Sequence, residues 1–382
     1  MTNWQRRVAE RCAEVAAEGR WRRPRPFDAS GPAGTLVDEG RRVVSFASND
    51  YLGLTTHPAV VAAATSALAK WGAGSGASRL VTGSRPVHHQ LEAALAEHAR
   101  FPRAVVFPTG FAANLGVLTS FGEPGVRICS DEYNHASIVD GARLARADVV
   151  VYPHGDLATL DQLLADAAGP AIVVSDLVFS MDGDVADVDG LAALCRRHGA
   201  LLVLDEAHAV LGPDPAPALD GVDALRVGTL SKTLGALGGY VAGPTAFVEL
   251  LENRARSYIF TTAPTPADAA AALASLEILH SAEGRALCTR LRAHVERLAP
   301  GHPSPIIPVV LGDEAAALAA SAALLEQGLW VPAIRPPTVP KGTARLRVTV
   351  SAAHTDDDVD RLAQALSALG RRAPQAAELP AR

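Results

Sequence analysis

The chain has 382 residues, 48% of them hydrophobic and 20% charged, with a formal net charge of −6. At roughly 150 residues per domain, that length implies about two domains around a substantial core and excludes a small free-standing binding module. The mild acidity excludes bulk attraction to nucleic acid or to a membrane surface, and no apolar stretch reaches the ~20 residues a bilayer requires.

Residues 1–20 read as an amphipathic helix carrying charges throughout, and the start of the chain resembles no export leader, so a cytoplasmic location is expected. A helical pattern follows at 58–71. Short β-branched runs then alternate with alanine-rich helical stretches. The strand candidates are "AVVF" (104–107), "VRIC" (126–129), "DVVVY" (148–152), "AIVVSDL" (171–177), "ALLVLDE" (200–206) and "LRVGTL" (225–230). Helical stretches at 114–120, 135–145 and 188–198 separate several of them. This alternation predicts an α/β fold with a mostly parallel sheet flanked by helices on both faces. From about residue 285 the pattern changes to helix, strand "IIPVV" (306–310), helix (313–327), "LWVPAI" (329–334), strand "ARLRVTV" (344–350) and a last helix (355–369). The expected organisation is an N-terminal helix and arm (1–45), a large domain (46–284) and a smaller α+β domain (285–382), with the tail after Arg371 mobile.

Cys12, Cys129, Cys195 and Cys288 form no Cys-x-x-Cys pair, which speaks for free, buried thiols and against a metal site or a disulfide framework. Of the 35 basic residues only Lys70, Lys232 and Lys341 are lysines. Arginine cannot lose its proton, so a lysine retained in such a chain can serve as an amine nucleophile or base. Lys70 lies on the 58–71 helix and Lys341 in a Pro-Lys-Gly turn, both with simple solvent-exposed roles. Lys232, in "VGTLSKTLGALGGY" (227–240), has no such role.

In a sheet of this type ligands bind beyond the carboxyl ends of the strands, so the loops there are the ones to inspect. In "FPTGFAAN" (107–114), Gly110 opens a helix whose free amides can hold a phosphate. In "VLDEAH" (203–208), Asp205 falls at a strand end, where a buried carboxylate can keep a pyridine nitrogen protonated. The same run also fits the Walker B strand of a helicase-type ATPase. That enzyme needs Gly-x-x-x-x-Gly-Lys-Ser/Thr upstream, and the chain has none. Around Lys232, Thr229 and Ser231 offer hydroxyls to a phosphate, and glycines 235, 238 and 239 let backbone approach a flat ligand. In "DEYNHAS" (131–137), His135 can stack on an aromatic ring. Phosphate donors, a strand-end carboxylate and a later amine are together the parts of a pyridoxal phosphate (PLP) site, with Lys232 as the covalent attachment point.

With these residues identified, the chain resembles the α-oxoamine synthases, acyltransferases of PLP fold type I, the aspartate aminotransferase fold. The resemblance runs nearly the whole length through "FASNDYLGL" (46–54), "GAGSGASRLVTG" (72–83), "NHASIVDG" (134–141), "FSMDGD" (179–184), "DEAH" and "TLSKTLG" (229–235). It implies that Lys232 bears the cofactor, Asp205 meets the pyridine nitrogen, His208 the ring hydroxyl, and His135 stacks on the ring. It implies that Gly110, Phe111, Thr229 and Ser231 lie near the phosphate and that Ser180 belongs to the cofactor pocket. It also implies a homodimer with sites at the subunit interface, Thr262 of "IFTTAP" (259–264) lending a phosphate ligand across it. Arg347, with Asn49 and Thr349, is the implied substrate site, Arg347 taking the amino acid's carboxylate, and Arg22 lies near the acyl substrate. The segment 333–354, "AIRPPTVPKGTARLRVTVSAAH", is most similar to the members that condense L-alanine with pimeloyl-CoA or pimeloyl-carrier protein in biotin synthesis. Glycine-using members, of the 2-amino-3-oxobutyrate or 5-aminolevulinate type, are the alternative. One stretch departs from the family: "HAVLGPDPAPALDG" (208–221) stands where a glycine-rich His-Gly-x-Gly-x-x-Gly loop is usual.

Overall fold

Successive side chains of a strand point to opposite faces, and the central strands use this to build two apolar layers at once. Ile172, Val174 and Val203 pack with Val117 and Ile138 of the helices Gly110–Phe121 and Ala136–Ala145. Val173, Leu202 and Leu204, their neighbours in sequence, pack on the other side with Leu160 and Leu191 of Leu157–Ala165 and Val188–His198. Strands covered on both faces need no polar side, which is why these runs are apolar without interruption. The computed structural model describes residues 1–370, so the tail after Arg371 lies outside the described residues.

The central sheet has seven strands in the order Arg103–Phe107, Gly239–Gly243, Ala224–Thr229, Leu201–Asp205, Ala171–Asp176, Arg127–Asp131 and Asp148–Tyr152. Gly239–Gly243 pairs antiparallel with both neighbours, and the other pairings are parallel. The α/β reading with a mostly parallel sheet therefore holds, and all six strands expected in this region are present within two residues at each end. The seventh, "GYVAG", is buried throughout. Glycines at both its ends depress strand propensity, so the sequence gives little sign of it.

The C-terminal strands Ile306–Gly312, Ala344–Thr349 and Ala333–Ile334 form a separate antiparallel sheet, backed by Glu314–Glu326 and Asp356–Ala368. The run "LWVPAI" is divided between two sheets at Pro332, which has no amide to donate. Its first half, Leu329–Trp330, pairs parallel with Arg41–Ser45 and joins the hairpin of Phe27–Ala29 and Ala33–Leu36. Residues 44–54 pack into the same core as this C-terminal part: Phe46, Tyr51 and Leu54 are fully buried in one cluster with Ile306, Val348 and Leu362. Each such side chain contributes about 1.5–3 kcal/mol on burial. The Thr349 amide donates to the Phe46 carbonyl at 2.9 Å and the Ala352 amide to that of Tyr51 at 2.8 Å. The chain around Asn49 is thereby fixed to the strand that carries Arg347.

The first helix, Asn3–Ala17, is capped by Thr2 and Gln5 and has no buried residue. Cys12 on it is consequently exposed and Cys288 half-buried, so the expectation of buried thiols is corrected for these two and holds for Cys129 and Cys195; all four are free. Among the described residues no helix is long and apolar enough to cross a membrane.

Candidate active site

Four neighbouring strands end in polar residues at one edge of the sheet: Asp131, Asp176, Asp205 and Thr229. The pairing register sets Asp176 beside Asp205. Asp205 is 6% exposed; its Oδ2 accepts from Asn114 Nδ2 at 2.6 Å and its Oδ1 from the Ala207 amide at 2.9 Å. Asp176 Oδ2 accepts from the His135 amide at 3.0 Å. Burial, and then the adjacent Asp205 carboxylate, push Asp176 well above the ordinary carboxylate range.

Lys232 lies in the loop after the strand Ala224–Thr229, and its Nζ is 3.1 Å from His208 Nε2. His208 Nδ1 is 2.6 Å from the Tyr51 hydroxyl, which donates to Asn49 Oδ1 at 3.2 Å. Arg347 donates to that same Oδ1 at 3.3 Å. One assignment of hydrogens satisfies the whole chain: Lys232 donates to a neutral His208, which donates to Tyr51. The charges agree with it. Burial, followed by the Lys232 and Arg347 charges, drives His208 well below the ordinary imidazole range. Burial also lowers the Lys232 amine, against the opposing pull of Asp205 and Asp176. Tyr51 is pushed up to about 12 by burial and keeps its proton. Lys70 and Lys341 are exposed, as expected of them.

At the other end of this edge, Thr109 caps the helix Gly110–Phe121 by accepting from the Ala112 amide at 3.0 Å. The first amides of any helix have no intrahelical partner and present a partial positive charge. Thr229 Oγ1 and Ser231 Oγ, 2.8 Å apart, lie beside that terminus: a Cβ on Gly110 would be 3.3 Å from Thr229 Cβ. His135 Nδ1 is 2.8 Å from Ser137 Oγ, and its ring stands edge-on to the exposed Phe111 with centroids 6.4 Å apart. The glycines expected to admit a flat ligand serve the chain's own packing. A Cβ on Gly239 would fall 2.5 Å from the Gly110 amide nitrogen, and one on Gly235 2.6 Å from that of Thr55.

The remaining sequence-predicted residues fall in three places. Arg347 donates through Nε to the Ser180 carbonyl at 2.6 Å and through a terminal nitrogen to Thr349 Oγ1 at 2.9 Å, which gathers Asn49, Ser180, Arg347 and Thr349 at one point. Arg22 is exposed and lines a cleft of about 320 Å³ with Arg20, Ile334, Arg335, Pro336 and Thr338. Thr262 is exposed on a segment tied to residues 75–88, where the Ala263 amide donates to the Ala77 carbonyl at 3.0 Å. It makes no hydrogen bond to the Lys232 group among the described residues. Glu206 of the "DEAH" run is turned away into a buried ion pair with Arg226. The departing loop 208–221 is held by Asp214, 3.0 Å from Arg100 and 3.7 Å from Arg226.

Tyr51, Asn114 and Asp176 were not singled out by sequence reasoning. Asn114 sits four residues after Gly110, one helical turn on, and Asp176 ends its strand as Asp205 does; both signals were available. Tyr51 gave none, because what marks it is the contact of its hydroxyl with His208 on a distant element.

His208 yields a pH prediction. Folded, it binds a proton less readily than when unfolded, where an imidazole titrates near 6.5. Below that value the unfolded chain holds more protons, so stability rises with pH across the window and is lost as pH falls through it. Cofactor-free His208→Gln is expected to lose less Tm than the parent between about pH 6.5 and 5, measured by thermal unfolding. An equal loss would acquit His208.

The donor set fits PLP: a lysine amine, a buried strand-end carboxylate, and hydroxyls beside a helix terminus. The family profile described as aminotransferase class I and II matches residues 41–366. An 8-amino-7-oxononanoate synthase of Bordetella petrii is 48% identical, over 88% of this chain and 90% of that protein. Among solved structures, a variant serine palmitoyltransferase from S. paucimobilis with PLP and myriocin bound superposes with a TM-score of 0.86 at 30% identity, covering 95% of this chain and 96% of that one. An 8-amino-7-oxononanoate synthase from Francisella tularensis gives 0.71 at 28%, covering 86% and 96%. The chain belongs to the aminotransferase class I and II family of PLP-dependent enzymes and, within it, to the 8-amino-7-oxononanoate synthases.

Proposed function

We propose that the enzyme condenses L-alanine with pimeloyl-CoA or a pimeloyl-carrier protein, giving 8-amino-7-oxononanoate, carbon dioxide and the free thiol. The observation that carries this reading is the unbroken hydrogen-bond chain from the Lys232 amine, through His208, Tyr51 and Asn49, to the Arg347 guanidinium. It joins an amine and a guanidinium at two ends of one site, which supports the reading because an α-amino acid needs a base and a carboxylate-binding group.

Lys232 would hold the cofactor's aldehyde carbon, Asp205 its ring nitrogen and His208 its ring oxygen. His135 would cover its face, and Ser180 would close the pocket. Its phosphate would lie among Gly110, Phe111, Thr229 and Ser231, with Thr262 contributed across a homodimer. Bound there, the group supplies an electron sink for the carbanion formed at alanine Cα. Lys232 removes the Cα proton and later returns one, and burial makes its amine easier to deprotonate than a free lysine. Arg347 fixes the carboxylate that is lost as carbon dioxide, and a two-pronged guanidinium suits that group. Arg22, at the cleft beside residues 333–338, contacts the acyl substrate. The large unit 46–284 holds the cofactor and the small unit 285–382 supplies Arg347, in a cytoplasmic homodimer. The strongly exposed Val81 and Phe260, 74% and 70% exposed, support the second copy.

Carbon dioxide release with L-alanine and pimeloyl-CoA tests the reading. Preference for glycine with a shorter acyl-CoA would overturn it. Arg22→Ala is expected to raise KM for the thioester roughly threefold to fivefold, the size of one exposed charge contact, with KM for alanine unchanged. Sedimentation of a fully active monomer would remove the dimer.

A further inference from the structure

His154, in "YPHGD" (152–156), lies outside the hydrogen-bond chain of the site but is built into its frame. Its Nδ1 is 2.9 Å from Asp131 Oδ1 and its Nε2 is 2.7 Å from Asp184 Oδ2. A neutral imidazole has one N–H, so an acceptor at each nitrogen requires the charged ring. Burial alone would lower its pKa, but hydrogen bonds and charge from the two carboxylates outweigh this and push it up to about 10. The ring stacks on Tyr133 at 4.6 Å and meets Phe179 edge-on at 4.4 Å, while its own amide donates to Glu132 Oε1 at 3.0 Å.

The two carboxylates belong to different elements. Asp131 ends a central strand and is further fixed by the amides of Tyr133 and Gly155. Asp184 closes a tight hairpin, where the Phe179 amide donates to the Asp184 carbonyl at 3.0 Å, the Gly183 amide donates to the Phe179 carbonyl at 2.8 Å, and Val178 bridges Val185. The hairpin tip presses on the C-terminal sheet: at Gly183, φ +72°, a Cβ would lie 2.1 Å from the Ile306 carbonyl oxygen. From this hairpin the Ser180 carbonyl accepts from Arg347, and Asp182 pairs with Arg345. The second oxygen of Asp184 has no partner among the described residues, so the bond from His154 is the one that anchors that side chain.

We propose that His154 is a positioning residue for substrate binding: by bridging Asp131 and Asp184 it fixes the hairpin 178–185 and so the two arginines, Arg347 and Arg345, that the hairpin holds. This rests on the reading that Arg347 takes the carboxylate of L-alanine. A clamp of this kind acts on one substrate. Ser180 is the one proposed cofactor-pocket residue on the hairpin; Lys232, Asp205, the phosphate donors and the Arg22 cleft lie outside it.

The test is equilibrium titration of the cofactor-loaded enzyme with L-alanine, without thioester, followed by the cofactor's visible absorbance. His154→Gln and Asp184→Asn are each expected to weaken alanine about tenfold, with bound cofactor and KM for pimeloyl-CoA within about twofold of the parent. The double variant should be no weaker than either single, since both replace the charge-assisted bond of one link by a weaker neutral one. Unchanged alanine affinity, or a loss of cofactor in proportion to the loss of alanine binding, overturns the proposal. If His154→Gln does not fold, Asp184→Asn, a same-size change on a partly exposed side chain, decides alone. Arg347→Lys run in parallel separates the two levels. If it leaves alanine binding intact, the Arg347 assignment is what fails; if it weakens alanine while the other two do not, His154 alone is rejected.

Discussion

Lys232→Ala is expected to lower turnover by roughly 10⁴-fold, the upper end of what one positioned proton-transfer group supplies, and to abolish the visible absorbance of bound PLP in the same step. The fold-change corresponds to about 5 kcal/mol in the barrier. Arginine at 232 should do no better, because a guanidinium stays protonated and can neither bond the aldehyde nor accept a proton. Borohydride reduction followed by mass spectrometry checks the attachment directly. Only three lysines compete, and Lys70 and Lys341 are both exposed. A pyridoxyl adduct on either, or turnover in the alanine variant near that of the parent, would end the assignment.

The alternation of apolar strands with helical stretches was legible because strands buried on both faces carry an uninterrupted signal, and the strand ends then located Asp205 and Thr229. The antiparallel strand Gly239–Gly243 was not legible, since Gly239 is there for close approach to the turn at Gly110 and Gly243 for close approach to Leu225, and neither says anything of pairing. The lysine, the carboxylate and the histidine of the site were visible as residue types at strand ends. What the sequence could not display is the frame around them. Tyr51 reaches His208 across 157 positions, Arg347 reaches Asn49 across 298, and His154 spans two acids on separate elements. Such contacts arise only when the 44–54 segment packs into the C-terminal core, and no local pattern records that packing.

Asp205→Asn is expected to cut turnover roughly 10²- to 10³-fold, the cost of removing one preorganised charge from a transition state, while leaving both the fold and the link at Lys232 intact. The prediction is unusual for a carboxylate that is 6% exposed and accepts two hydrogen bonds. An amide in its place has one acceptor only, and facing two donors it should lose about 1–3 kcal/mol. Rotating the Asn114 amide by half a turn would offer an acceptor to the new N–H, but it would put the Asn114 NH2 where its buried, partnerless Oδ1 stands and take the Ser137 hydroxyl from His135 Nδ1, so one unmade hydrogen bond remains. The new oxygen keeps the Ala207 amide. Asp176, relieved of a like charge beside it, is eased rather than strained. Tm should therefore fall by only about 1–4 °C, which is what about 1–3 kcal/mol amounts to in a chain of this size. The pyridoxyl adduct should still be found at position 232, which separates this variant from Lys232→Ala. If activity survives, Asp205 is a structural acid and the electron sink is protonated by another route. If the protein unfolds, the cost exceeds that of one unmade hydrogen bond and the carboxylate is needed to hold the fold.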